Sequence, residues 1–402
     1  MANRNGGFIG TDGLDAPDPP TAVTPTAAGG QVSVAFTAPT DTGTSAITGF
    51  VVQVSTNGTD YSAGSNTGTS SPIVVSSLTN GTAQTAKVWA INAYGTSAPS
   101  DASSSFTPLN NRGIFIGGDA PSNVMDYITI STDGNATDFG DLLSATGSVS
   151  NGAAASFTRG VVTGGLTGSG NINVIQYVTI ASTGNATDFG DMTNVYANMG
   201  GHSSTTRGVY GGGQKNSGSN ASNVIEYITI ANTGDATDFG DLLADSQFAS
   251  ALGSSSRAVF KSQNNSNVIE YITIASTGNS TDFGNSTQSI ELQAAASSGT
   301  RGIFAGGYVT SGADFSNVMD YITIASTGNA SDFGDLTQAV NGSSAVSDST
   351  KWVRGGGSIS GSTVNVMDDV TIASTGNAAD FGNLTSTRGR LGCTCGSHGG
   401  LQ

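Results

Sequence analysis

One phrase occurs six times after residue 122, with only small changes. It reads NVMDYITISTDGNATDFGDL from Asn123 and NVIQYVTIASTGNATDFGDM from Asn173, and it returns from Asn223, Asn267, Asn317 and Asn365. The starts lie 50, 50, 44, 50 and 48 residues apart. Each unit holds four short apolar segments with turn residues between them. In residues 293–336 these are QAAASS, RGIFAGG, NVMDYITI and NASDFGDL, here called strands a, b, c and d. Along strand c, Val318, Asp320, Ile322 and Ile324 alternate with Met319, Tyr321 and Thr323, so both faces carry bulky apolar groups. Such a sheet must be covered on both sides, and copies of itself are the available cover. A four-strand unit at this period predicts a six-bladed β-propeller rather than a helical solenoid.

The ends of the repeat array predict how it closes. The first unit begins at Asn111-Arg112-Gly113, already in strand b. After the last strand d the chain continues LTSTRGRLGCTCGSHGGLQ, and LGCTCGS (391–397) stands where another strand a is due. This C-terminal strand is expected to complete the first blade and remove the free edges. The small Ala and Ser residues of strand a suit a crowded innermost position, and Gly306-Gly307 permits a sharp exit from strand b.

Composition agrees with an all-β chain. Gly accounts for 58 of 402 residues and only 10% are charged, a turn-rich usage with few helix formers. The net charge of −16 argues against a nucleic-acid partner, because phosphate contacts need a basic surface. No apolar run approaches the roughly 18 residues of a membrane span, so membrane insertion is not expected. The start MANRNGGFIGTDGLDAPDPP lacks the apolar core of a secretion signal. Cys393 and Cys395 are too few for a structural zinc site, and His398 adds one ligand only. Buried free thiols are favoured over a strained local disulfide or a metal pair. His202 and His398 are read as far apart and without partners. No catalytic residues, metal or cofactor are expected.

The segment before the repeats has a different pattern. Residues 1–15 are polar and Gly-rich, and read as disordered or as an arm that docks on a partner. In residues 16–108, alternating segments appear at QVSVAF (31–36), ITGFVVQVS (47–55), PIVVSSL (72–78) and AKVWAINAYG (86–95), separated by turn clusters. That is the pattern of a small β-sandwich. With its entry PDPPTAV and the segments TAPTDTGTSAITGFVVQ and SLTNGTAQTAKVWAINAYGTSAPS, it resembles a fibronectin type III domain. Phe36 stands where that family has a core Trp, and Gln84 where its corner Tyr is expected. The resemblance implies a spacer or an adhesion module. The propeller then occupies 109–402. Its units resemble kelch-type blades, with Phe replacing the kelch Trp in each DFG: Phe139, Phe189, Phe239, Phe283, Phe333 and Phe381.

Function is sought where the repeats differ. The a–b and c–d turns share one rim and are uniform, whereas the b–c and d–a loops share the other and vary strongly. The variable rim carries Tyr196, Lys215, Asn216, Phe248, Tyr308 and Phe315, exposed-looking aromatics among amides and a lysine that suit a sugar or a protein surface. Drifting scaffold loops are the rival reading. A cation opens strand b in Arg112, Arg159, Arg207, Arg257, Arg301 and Lys351, and an acid opens strand d in Asp138, Asp188, Asp238, Asp282, Asp332 and Asp380. Repeated ion pairs fastening the blades are expected, with an anion or Ca²⁺ site as the alternative.

The MANRNGGFIGTDG start, the fibronectin-like segment and the NVIEYITIASTGNATDFGDL units together resemble virion structural proteins of tailed phages that infect cyanobacteria. The resemblance implies a non-enzymatic tail fibre or particle-surface appendage, made in the host cytoplasm without a signal and working on the virion. Its arm or sandwich would contact other virion proteins, and its variable rim a host-envelope glycan or protein. A homo-oligomer is compatible with this. The rivals are a glycan-active propeller enzyme such as a depolymerase, and an intracellular kelch-like scaffold.

Overall fold

The computed structural model describes residues 15–401, apart from 29, 62, 109, 120, 150, 152–153, 217–219, 262–265 and 310–313. The N-terminal arm expected over 1–15 and parts of the b–c loops thus lie almost wholly or partly outside the described residues. Those residues form an all-β protein of antiparallel sheets, none closed into a barrel, with no α-helix and a single short 3-10 turn at Gly399–Leu401. The chain divides into two compact units, residues 1–110 and 111–402.

The first unit has two sheets. One holds Thr21–Ala28, Gln31–Thr37 and Ile73–Val75; the other holds Ala63–Gly68, Ile47–Ser55, Thr85–Asn92 and Gly95–Thr96. Their alternating inward residues, among them Val32, Val34, Val52, Val54, Val75 and Val88, share one core. Phe36 packs its ring 4.8 Å from that of Phe50. Beyond Gly95 the edge of the second sheet is covered by a serine ladder. The N–H and hydroxyl of Ser97, Ser100 and Ser103 bond the carbonyl and N–H of Ala90, Val88 and Ala86 at 2.8–3.0 Å. Serines three apart thus serve strand residues two apart, and the edge is left with fewer free donors.

In the second unit the strands of each repeat pair antiparallel in the order a-b-c-d; four repeats form separate four-stranded sheets, and the second and third are joined through Gln214–Lys215 into one ten-stranded sheet. In the fifth repeat the four strands are Ala294–Ser297, Arg301–Ala305, Val318–Thr323 and Ser331–Asp335. The first sheet takes its strand a from the far end of the chain. Gly392–Cys395 pairs antiparallel with Arg112–Ile116, matching Cys393 with Phe115 and Thr394 with Ile114. The C-terminal segment therefore lies where the sequence placed it. Strand a of every repeat lies beside strand a of the next: Ala154–Ala155 beside Gly200–Ser203, then Ser250–Gly253, Ala294–Ser297, Ser344–Ser347 and Gly392–Cys395, which returns to Ala154–Ala155. All these residues are buried, and the close approach explains their small side chains. At Thr394 the hydroxyl reaches Ala154 O at 3.1 Å, and at Ser203 it reaches Ala155 O at 2.8 Å. Gly306 and Gly307, at φ 65° and 109°, make the predicted exit from strand b.

Candidate functional site

The repeated words are consumed by contacts between neighbouring sheets. In each unit the c–d turn docks on strand d of the unit before. Gly184 N bonds Phe139 O at 2.7 Å, Ala186 N bonds Asp141 O at 2.8 Å, and Asn185 Oδ1 accepts from Asp141 N at 3.0 Å. The same three bonds recur at each junction, including the one from sixth to first: Gly134 N to Phe381 O, Ala136 N to Asn383 O, and Asn135 Oδ1 from Asn383 N. The DFG glycine is needed because its φ lies between 139° and 150°, and a Cβ there would stand 2.3–2.5 Å from the next turn's backbone.

The expected Arg–Asp ion pairs do not form. Among the described residues, no ion pair joins the strand-b arginines to Asp138, Asp188, Asp238, Asp282 or Asp332. Instead Arg112, Arg159, Arg207, Arg257 and Arg301 lie 4.2–4.5 Å over the rings of Tyr127, Tyr177, Tyr227, Tyr271 and Tyr321. Each also donates from Nη1 to a carbonyl of the next unit, Ile180, Ile230, Ile274, Ile324 and Ile372, at 2.7–2.9 Å. The aspartates are exposed on the outermost strand, where charge discourages edge-to-edge pairing. The sequence shows that cation and acid share a rim, but not that a tyrosine stands closer to the cation.

A second fastening was missed. One polar residue sits at the same register in every strand c: Asp126, Gln176, Glu226, Glu270, Asp320 and Asp368, all at most 1% exposed. Each reaches the later part of strand d of the preceding unit or the residues just after it. Gln176 accepts from Leu143 N at 2.8 Å, Glu270 from Leu243 N at 2.7 Å, and Asp320 from Thr287 N at 3.0 Å. Asp126 likewise accepts from Thr385 N and Oγ1 at 3.2 and 2.6 Å. An acid recurring in an otherwise apolar strand was the signal available. Buried carboxylates persist only where donors meet them.

The variable loops are laced together rather than free. Tyr196 and Ala197 pair with Lys215 and Gln214, Ile290 and Glu291 with Val309 and Tyr308, and Gly147 with Leu166. The candidate contact residues fall in three places. Tyr196 is fully buried, which corrects its reading as an exposed contact. Its ring belongs to the core beside Met192, Met199 and Tyr210, and burial, with Glu226 nearby, pushes its pKa up to about 12. Beside it Lys215 is half-buried, and Asn216 is exposed at a left-handed φ of 58°. Tyr308 and Phe315 face each other across a hairpin with ring centroids 6.2 Å apart, both half-buried. Phe248 stands alone in a depression where the six d–a loops converge.

That depression is lined by Val149, Asn198, Phe248, Leu292, Ser343 and Arg390 among others, without Asp or Glu. It encloses about 20 Å³, room for roughly one water or methyl group. Ser148, Asn198, Phe248, Leu292, Gly342 and Arg390 are equivalent positions of the six loops. All but Phe248 take left-handed φ values, between 47° and 62°. Backbone bonds run from loop to loop: Asn198 N to Ser148 O, Ala249 N to Asn198 O, Gly342 N to Leu292 O, Arg390 N to Gly342 O and Ser148 N to Arg390 O, at 2.6–3.1 Å. Among the described residues no such bond joins Phe248 to Leu292. Wider open grooves of about 310, 220 and 370 Å³ lie on the uniform rim, lined by turn residues such as Thr132, Asn135, Thr277 and Ser255.

At the other end of the inner strands lies the buried C-terminal tail, Gly396 to Leu401. It brings His398 against His202, with ring centroids 5.2 Å apart, which corrects the reading of two unrelated histidines. His398 Nδ1 accepts from Gly400 N at 3.0 Å. Burial holds both rings neutral: His202 is pushed down to about 4, and His398 well below the usual range. Cys393 and Cys395 are free and buried, with Cys393 Sγ 3.0 Å from Ala345 O. Burial pushes the Cys395 thiol up to about 12, which disfavours its thiolate.

No protein-family model and no curated protein matches this chain. Among solved structures, YjhT is similar over 68% of this chain and 95% of its own, at 9% identity and a TM-score of 0.55. Domains A168–A170 of titin are 27% identical over 23% of this chain and 32% of theirs, with a TM-score of 0.23. At those values the first likeness concerns the arrangement of strands alone.

Proposed function

We propose that residues 111–402 form a six-bladed β-propeller and residues 16–108 a fibronectin-like spacer. On this reading the chain is a non-enzymatic adhesive appendage of a virion, a tail fibre or a particle-surface fibre. The propeller reading rests on the circuit of contacts. Every repeat docks its c–d turn on the repeat before it, and the circuit returns from Phe381 to Gly134 at 2.8 Å. The likeness to YjhT covers a share of the chain too large to be met without the second unit.

The adhesive reading rests on one observation above all. The repeated residues are used up in fastening sheets together, and what differs between repeats is gathered in the laced b–c and d–a loops of one rim. A scaffold that holds one face uniform and lets the other vary suits recognition by loops on a rigid support. A glycan-cleaving rival would need paired carboxylates around a substrate cleft; the depression between the d–a loops has no acid in its lining and is smaller than a sugar ring. The virion assignment comes from the resemblance of the repeat phrase. Antibody labelling of purified particles, together with binding of the isolated chain to host cells, tests the proposal. Labelled particles and saturable binding support it. Absence from particles, or cleavage of a host glycan, would sink it.

A further inference from the structure

We propose that residues 396–401 form an acid-released plug: protonation of the facing imidazoles of His202 and His398 detaches this segment from the inner strands while the six repeats stay assembled. This goes beyond the adhesive reading and does not depend on it. The two rings meet edge to face with centroids 5.2 Å apart, and each residue is 2% exposed. Their bonds fix where a further proton must go. His398 Nδ1 accepts from Gly400 N at 3.0 Å, and Nε2 faces Ser203 Oγ at 3.3 Å and the Ala155 carbonyl. The Ser203 hydroxyl already donates to Ala155 O, so His398 carries its hydrogen on Nε2. His202 Nε2 stands 3.2 Å from Ser254 O and donates to it. A second proton on His398 therefore enters at Nδ1, where it meets the N–H of Gly400. That undoes the bond folding the segment back at Gly399–Leu401. A second proton on His202 sets a charge beside the other ring.

The surroundings offer the charged pair no relief. On the inner strands the titratable side chains are His202 and the thiols of Cys393 and Cys395; burial pushes Cys395 up to about 12, so it stays neutral in acid. Asp348, in the turn after Ser347, spends Oδ1 on Thr350 N, Thr350 Oγ1 and Lys351 N. The cations opening strand b lie on tyrosine rings or, at Lys351, pair with Asp133 and Asp369. Two buried imidazolium groups without a bonded carboxylate are costly, and release hydrates them. The plug also has a hold separate from the strand before it. Gly392–Cys395 is laddered to Arg112–Ile116, and Thr394 Oγ1 donates to Ala154 O at 3.1 Å. Residues 396–401 are held by Ser397 Oγ to Ser347 O at 3.2 Å, by the His398 ring and by close fit. A Cβ at Gly399 would stand 2.3 Å from Gly253 O, and one at Gly400 1.7 Å from Ser203 O. Packing this tight leaves little room for a partial shift.

The test is hydrogen exchange of the whole chain, read by mass spectrometry from pH 7 to 4.5 and corrected for the intrinsic rate at each pH. Docked, His202 titrates at about 4 and His398 lower; released, both titrate near 6.5. Docking is therefore at full strength above about pH 6.5 and weakens as pH falls towards 4, by up to about tenfold per ring per pH unit. The peptide holding Gly400 and Leu401 should lose roughly 10³–10⁴-fold in protection. At pH 4.5 its exchange should not depend on urea, while peptides from Arg112–Ile116 and Ala294–Ser297 stay protected and exchange faster as urea is added. His398→Asn keeps an acceptor for Gly400 N but takes no proton, and should cut the loss to below about 100-fold. Adding His202→Gln should leave the segment docked at pH 4.5. Protection of the segment that ignores pH, a single protection and urea dependence shared with the inner strands, or a double variant that opens like the wild type each overturns the plug. If the double variant does not fold, the wild-type profile and His398→Asn decide.

Discussion

The junction between the sixth and first repeats is built differently from the other five. At those five an arginine lies on a tyrosine and donates to a carbonyl of the next unit. At the sixth, Asp369 takes the tyrosine's place and Lys351 the arginine's, and Lys351 Nζ pairs with Asp369 at 3.0 Å and with Asp133 of the first repeat at 2.5 Å. Arg388 adds a buried bond to Asp126 at 2.5 Å and two to Gly117 O and Val124 O at 2.7 and 2.8 Å. Elsewhere all four strands of a repeat follow one another in the chain, so packing aligns what short connections already hold together. At the closing junction strand Gly392–Cys395 joins strands from residues 112–146 across most of the unit. Loop closure over that length is costly, and directed, charged bonds hold the register there.

The largest test of that contrast removes the closing strand. Truncation after Thr387 deletes Arg388 and Gly392–Cys395 together, and the second unit should lose its cooperative melting transition by calorimetry. The first unit, with its own core, should keep its transition. Next is Asp126→Ala, which strands Arg388 in the interior. It should cost about 3–5 kcal/mol in urea unfolding, while Gln176→Ala at an internal junction costs about 1–2 kcal/mol. Gly284→Ala should then cost about 2–3 kcal/mol, because φ is 145° and the new Cβ meets Gly328 O at 2.4 Å. The smallest pair discriminates most finely. Lys351→Met should cost up to about 1 kcal/mol and lose its effect in 1 M salt, whereas Arg207→Met should cost about 1–2 kcal/mol at any salt.

Acid probes the tail that fills the inner strands. His202 titrates at about 4 when folded and near 6.5 when unfolded. The unfolded chain therefore binds the proton first, and stability should fall as pH drops from about 6.5 to 4. It should level off only below the folded values, and His398, lower still, extends the decline. Urea midpoints that stay constant from pH 7 to pH 4.5 would contradict the neutral buried pair.

Much of the fold was legible because the repeat states it six times. The strand phrases, the Gly-Gly exits and the C-terminal strand follow from period and alternation alone. Depth was less legible. Alternation tells which face a side chain takes, not how far it lies from solvent, so Tyr196 on a variable loop read as exposed although the next b–c strand covers it. The strand-c acids were hidden for the converse reason: Asp320 among Val318 and Ile322 looks like an exception until the facing backbone donors of the previous sheet are seen. The arginine partner was misread because rim position is shared by several groups, and only distance separates Tyr127 from Asp138. His202 and His398 meet through closure of the whole array, which no local pattern encodes. In the first unit, Thr21–Ala28 was missed because it is a largely exposed edge strand containing Pro25.

The two cysteines give the most direct test of closure, since both lie in the strand that completes the first sheet and the chain has no others. Their labelling by a thiol reagent should be followed against urea in the full-length chain. Docked as described, Cys393 and Cys395 should resist labelling in buffer and react with the midpoint and urea dependence of global unfolding of the second unit. Rapid labelling in buffer, or labelling that precedes unfolding with a much smaller urea dependence, would show that the C-terminal strand is not the one that closes the array.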